Sequence, residues 1–163
     1  MSVNITIKEI RDEDFTSYKK PSMVLGFPRC SWKCEREYGM RVCQNGALAQ
    51  APDKIIGVKT IVNRYINNPI TSAIIMAGLE PFDSEEDLRL VISYLRVATQ
   101  NDIVIYTGYT KEEIKSRAIY KYLLNAQNII IKFGRFIPNQ QPHYDSILGV
   151  KLASDNQYAE VIS

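Results

Sequence analysis

The sequence predicts an α/β protein, with alternating strands and helices building a mostly parallel sheet and residues 1–163 forming one domain. Three observations carry this expectation. Short apolar runs, Ser22-Met23-Val24-Leu25-Gly26-Phe27 among them, alternate with longer stretches whose apolar residues recur at helical spacing. The runs end at turn-forming residues: Pro28, Gly78, Gly108 and Gly134 in succession. A chain of 163 residues holds one sizeable core, but it has too few repeats to close an eight-stranded barrel.

In chain order, residues 2–8 alternate, with Val3, Ile5 and Ile7 on one face, and read as an edge strand or an N-terminal cover. Residues 12–20 are charged and aperiodic. The run 22–27 reads as a buried strand leading through Pro28 into Cys30. Asp53 stands where it can cap a helix whose apolar face is Ile55, Ile56, Val58, Ile61, Val62, Tyr65 and Ile66, stopped by Asn67-Asn68-Pro69. Residues 72–77 form a second buried strand closed by Gly78-Leu79-Glu80-Pro81. Ser84 is the expected N-cap of the next helix, with Glu85, Glu86 and Asp87 complementing the helix dipole and Leu88, Val91, Ile92 and Leu95 as its buried stripe. Residues 102–106 are a third strand, and Thr107-Gly108-Tyr109 turns the chain. Thr110-x-x-Glu113 is a capping box opening a helix through Ile114, Ala118, Tyr122 and Leu123. Residues 128–132 are a fourth strand, broken by Gly134. Beyond Phe136 periodicity fades, and Pro138, Pro142 and Gly149 point to a loop-rich segment across one end of the sheet.

Twenty basic and 18 acidic residues leave a formal charge of +2 spread along the chain, without the basic footprint of a nucleic-acid-binding domain. No apolar run is long enough to span a bilayer, and the charged first 15 residues resemble no signal peptide, so no membrane contact and a cytoplasmic location with reduced thiols are expected. All three cysteines, Cys30, Cys34 and Cys43, crowd into one segment after the first buried strand. An odd number cannot pair off internally, and the crowding points to ligation rather than stapling. Three thiolates suit a soft metal with one position open, either a catalytic zinc or an iron–sulfur cluster. Spacing alone does not choose between them. A Cys3His zinc site would need His143, the only histidine, and buried unligated thiols are the plain alternative.

The cysteine loop, Gly78-Leu79-Glu80-Pro81 and Tyr106-Thr107-Gly108-Tyr109-Thr110 each follow an apolar run, and in that order they resemble the radical S-adenosylmethionine (SAM) superfamily. Within it the chain is most similar to the activating enzymes of anaerobic ribonucleoside-triphosphate reductases. The similarity extends to Phe133-Gly134-Arg135-Phe136-Ile137-Pro138 and to Ser154-Asp155-Asn156-Gln157. Two departures stand out. The cysteines are spaced C-x3-C-x8-C where the family has C-x3-C-x2-C, residues 35–42 enlarging the loop, and Leu79 replaces the second glycine of Gly-Gly-Glu-Pro.

The resemblance implies a fold of the partial, TIM-like barrel type. It implies that Cys30, Cys34 and Cys43 hold three irons of a 4Fe–4S cluster whose fourth iron chelates SAM. Gly78, Leu79 and Glu80 would orient the amino end of SAM, and Tyr106, Thr107, Gly108, Tyr109, Ser154 and Asn156 would line its nucleoside side. No catalytic side chain beyond the cluster ligands is implied. The implied activity is reductive cleavage of SAM, with the radical passed to a glycine of a large anaerobic reductase and the electron drawn from a flavodoxin or ferredoxin-type donor. Two other readings stand beside it: a radical SAM enzyme acting on a small molecule or peptide, as a deazapurine synthase does, and a non-catalytic relative binding iron–sulfur or zinc.

Overall fold

The computed structural model describes residues 3–39 and 45–163, without the side chains of Cys34 and Tyr38. The first half of the chain forms β1 (Asn4–Ile7), β2 (Glu9–Asp14), β3 (Ser22–Phe27), α1 (Lys33–Tyr38), α2 (Gly46–Gln50), β4 (Lys54–Gly57), α3 (Val58–Ile66) and β5 (Ala73–Gly78). A 3-10 turn (Pro81–Ser84) follows, then α4 (Glu85–Ala98), β6 (Asp102–Tyr106), α5 (Lys111–Ile114), α6 (Ala118–Leu123), β7 (Ile129–Phe133), β8 (His143–Asp145), β9 (Val150–Leu152) and β10 (Tyr158–Val161). Among the described residues, no helix is long and apolar enough to cross a membrane.

The central sheet has six strands in the order β10-β7-β6-β5-β3-β2. Its middle four are parallel, while β2 and β10 run antiparallel at the two edges. Strands buried on both faces have no use for polar alternation, which is why β3 and β7 are buried at every position. Alternate residues serve different layers. Met23, Leu25, Ile74, Met76, Ile103, Ile105, Ile129 and Ile131 pack with Ile61, Leu88, Val91, Ile92 and Leu123 of the helices. Val24, Ile75, Val104 and Ile130 pack with Tyr18, Leu148 and Leu152, contributed by the 15–20 segment and the region of the β8–β9 hairpin. Helices therefore cover one face, and loops with the hairpin cover the other.

The α/β class stands, but the expected partial TIM-like barrel does not form. The sheet is mixed and open, and its antiparallel edge strands end the parallel register on both sides. Eight βα units ordinarily take about 250 residues, far more than this chain provides. Local expectations also change. Ile55 and Ile56 belong to β4, which pairs antiparallel with β1 and leaves Ile55 76% exposed, so the helix begins only at Val58. β-branched neighbours favour that strand pairing over a first helical turn. The capping box at Thr110 is present, but its helix stops at Ile114 and a second begins at Ala118. Between them Arg117 is extended, with its guanidinium 4.7 Å from the Tyr109 ring centroid and 2.9 Å from Glu85. Ser84 makes no side-chain cap; its buried hydroxyl has no hydrogen-bond partner among the described residues, and Glu80 caps the 3-10 turn instead.

Candidate functional site

Parallel strands place their following turns along one edge of a sheet, which in α/β proteins is where ligands bind. Here β3 is followed by Cys30, β5 ends at Gly78, β6 at Tyr106 and β7 at Phe133. A cleft of about 430 Å³ opens among these turns, a size typical of small-molecule sites. Cys30, Ser31, Gly78, Leu79, Glu80 and the turn from Tyr106 through Tyr109 all line it. Lys132, Gly134, Arg135, Phe136 and Gln157 continue the wall toward β9.

The turn after β5 explains how leucine is tolerated within Gly-Leu-Glu-Pro. Left-handed backbone falls on Gly78, at φ 91°, where an added Cβ would lie 2.3 Å from the Phe27 nitrogen. Leu79 lies outside that region and donates its amide to the Phe27 carbonyl at 3.1 Å. Glu80 is buried, its Oε1 accepting from the Phe82 amide (3.1 Å) and the Thr107 hydroxyl (2.8 Å) and its Oε2 from the Gly108 amide (2.8 Å). Burial pushes its carboxyl up to about 7 against the pull of those three donors. One side chain thus fastens the β5 turn to the β6 turn.

The two described ends of the cysteine segment are fastened to the same turns. The Ser31 amide donates to Asp83 Oδ2 at 2.8 Å, and the Tyr109 hydroxyl donates to Asp83 Oδ1 at 2.6 Å. At the far end, Asn45 Nδ2 donates to the Gly78 carbonyl at 2.8 Å. Trp32 adopts a left-handed conformation, φ 59°, and its amide points at Cys30 Sγ from 3.2 Å before α1 begins. Lys33 reaches Glu113 at 2.9 Å and lies 4.6 Å from the Tyr109 ring centroid. Arg135 grips the same Glu113 with both terminal nitrogens. This guanidinium, aided by Lys33, holds the Glu113 carboxyl well below the usual range.

Cys34 lies on α1, but its side chain and all of Cys43 are outside the described residues. Among the described residues, no three potential metal ligands assemble. His143 is in β8 and does not line the cleft. Ser154 is fully buried, bonding Asn156 Oδ1 (2.7 Å) and the Ile137 amide (3.2 Å). Asn156 holds the Arg135 carbonyl at 2.8 Å. Neither lines the cleft; they shape the strand end beside it, where Gln157 does reach the wall. Sequence reasoning missed Asp83, the Glu113–Arg135 pair and Lys132. Only the last left a visible signal, a lysine inside Ile129-Ile130-Ile131-Lys132-Phe133.

The residues present fit an iron–sulfur cluster. Three thiolates in one segment are the right donors, and a backbone N–H aimed at Cys30 Sγ on the cleft wall is the kind of contact that tunes a cluster sulfur. The fold is thus that of an α/β protein whose cleft, at the carboxyl edge of its sheet, is lined by Cys30, the first cysteine of the segment. A family model described as a 4Fe-4S single cluster domain matches residues 23–157, and the chain belongs to that family. No curated protein matches it. The family supports an iron–sulfur cofactor over zinc.

Proposed function

We propose that the protein is a radical SAM activase, cleaving S-adenosylmethionine at a 4Fe–4S cluster held by Cys30, Cys34 and Cys43 and generating a glycyl radical on an anaerobic ribonucleotide reductase in the cytoplasm. The observation that carries this reading is that Cys30 and Ser31, the Gly78–Glu80 turn and the Tyr106–Tyr109 turn share one cleft. A cluster held by these cysteines would supply the chemistry, one electron for reductive cleavage of the sulfonium of SAM. Everything else falls to positioning by this chain. Gly78 and Leu79 present main chain to the amino end of SAM. Glu80, with both oxygens engaged, aligns Thr107 and Gly108 instead of reaching the ligand, so its role is indirect. Tyr109, fixed by Asp83, braces the cysteine segment, while Phe136 and Leu152 wall the cleft against water. A flavodoxin or ferredoxin-type protein would reduce the cluster.

The test is anaerobic reconstitution with iron and sulfide, followed by electron paramagnetic resonance of the reduced protein with and without SAM. A cluster signal that changes on adding SAM, and then a glycyl radical on the purified reductase, are expected. A signal indifferent to SAM would sink the reading. Cys43→Ala is expected to lose cluster iron and SAM cleavage together; full iron content in that variant would remove Cys43 as the third ligand.

A further inference from the structure

Lys132 lies in β7 between Ile131 and Phe133, on the sheet face covered by loops and hairpin, and only 6% of it is exposed. Its ammonium donates to the Gly134 carbonyl at 3.0 Å, and no carboxylate among the described residues forms an ion pair with it. Glu80 is near enough for its field to favour the charged lysine, but its own oxygens are occupied by Phe82, Thr107 and Gly108. An ammonium has three hydrogens to place, and burying it with no carboxylate bonded to it is costly. Burial pushes it down to about 8, so it still carries its proton at neutral pH. Crucially, it is not sealed in the core: it forms part of the cleft wall, with the Tyr106 ring centroid 5.8 Å away and Gln157 alongside. Lys151 of β9, exposed and outside every ion pair of the described residues, lines the same cleft.

We propose that Lys132 anchors an oxyanion subsite in this cleft, taking the carboxylate or phosphate group of a small ligand other than SAM. The cleft supplies what the fold withholds, an opening through which a negative partner reaches a buried positive group. That the ligand is not SAM rests on the proposed function, in which the carboxylate and amino groups of SAM sit at the cysteine end, over β3 and β5. β6 separates β5 from β7, and at the usual strand spacing the Lys132 backbone lies about 10 Å from β5 and about 14 Å from β3. SAM carries no second anionic group to place there. The subsite itself depends only on the cleft and the lysine.

The experiment uses the full chain and four probes: inorganic phosphate, acetate, SAM and decarboxylated SAM, each titrated in anion-poor buffer by thermal shift and calorimetry. Wild type is expected to gain melting temperature with phosphate or acetate in a saturable way. Lys132→Met is expected to melt higher than wild type without ligand, because it removes an unpaired buried charge, and to bind the same anions at least tenfold more weakly. Lys132→Arg keeps the response. A lower ligand-free melting temperature in Lys132→Met would mean that the lysine serves its bond to Gly134, and an anion response surviving in that variant would place the anion elsewhere; either overturns the subsite. Stabilisation by SAM that requires Lys132, vanishes with decarboxylated SAM and has no counterpart with phosphate or acetate would assign the lysine to SAM itself and overturn the second ligand. Failure of SAM to bind, with the phosphate or acetate response intact and lost in Lys132→Met, would defeat the proposed function and leave the subsite standing.

Discussion

At Gly78 a methyl group would meet the Phe27 nitrogen at 2.3 Å on a backbone already at φ 91°. Gly78→Ala is expected to cost about 3 kcal/mol or more of unfolding free energy, read by urea titration, because strain and overlap add. Leu79→Gly should cost only about 0.5–1 kcal/mol, the entropy of an extra glycine, and leave SAM affinity equal or better. The sequence showed that one residue of this turn departed from the family pattern. It could not show that the left-handed position is the preceding one, because φ is not written in residue type. Two buried charges nearby make a pH prediction. Native Glu80 keeps to about 7 a proton that the unfolded chain releases near 4.5, so stability falls as pH rises through that interval. Native Lys132 gives up near 8 a proton that the unfolded chain holds to 10.5, so stability rises again above 8. Melting temperature against pH should show a shallow minimum between 7 and 8. Glu80→Gln is expected to flatten its acid limb and Lys132→Met its alkaline limb; unchanged limbs would disprove the assignment.

Among elements, the cysteine segment depends on neighbours far away in sequence. Asp83 bonds both the Ser31 amide and the Tyr109 hydroxyl, so Asp83→Ala should strip the Ser31 amide of its protection from hydrogen exchange and cost about 1–3 kcal/mol. Unaltered exchange at Ser31 would mean that the segment is held by other contacts. The strands that place the cleft were legible because residues 22–27, 72–77 and 102–106 are continuous apolar runs bounded by turns. β2 was not, since Glu9-Ile10-Arg11-Asp12-Glu13-Asp14 is nearly all charge and becomes a strand only by pairing with β3. The same limit hid the Lys33–Glu113–Arg135 bridge, whose members come from three separate segments with no local pattern to connect them.

On the scale of the whole molecule, the two apolar layers contain no cysteine among the described residues, so folding and cluster binding are separable. Removing iron with a chelator under oxidising conditions should lower the melting temperature through lost linkage while leaving a cooperative transition and an unchanged far-ultraviolet circular dichroism spectrum. Loss of cooperativity would show that the cluster is part of the core. The α/β alternation was readable along the chain, but the closure of the sheet was not. Whether edge strands run parallel depends on β2, which is nearly all charge, and on β10, which is only four residues long, and neither shows its direction until a partner is in place. β10 also bears on how the protein is made. Every residue of β7 is buried, yet its outer edge stays unpaired until residues 158–161 have been synthesised. At roughly 5–20 residues per second that delay is on the order of seconds. A nascent chain halted within the β8–β9 hairpin would offer neighbouring chains an apolar strand, fully buried in the finished fold, with one open ladder of hydrogen bonds, and β10 replaces that edge with a shorter one carrying Glu160.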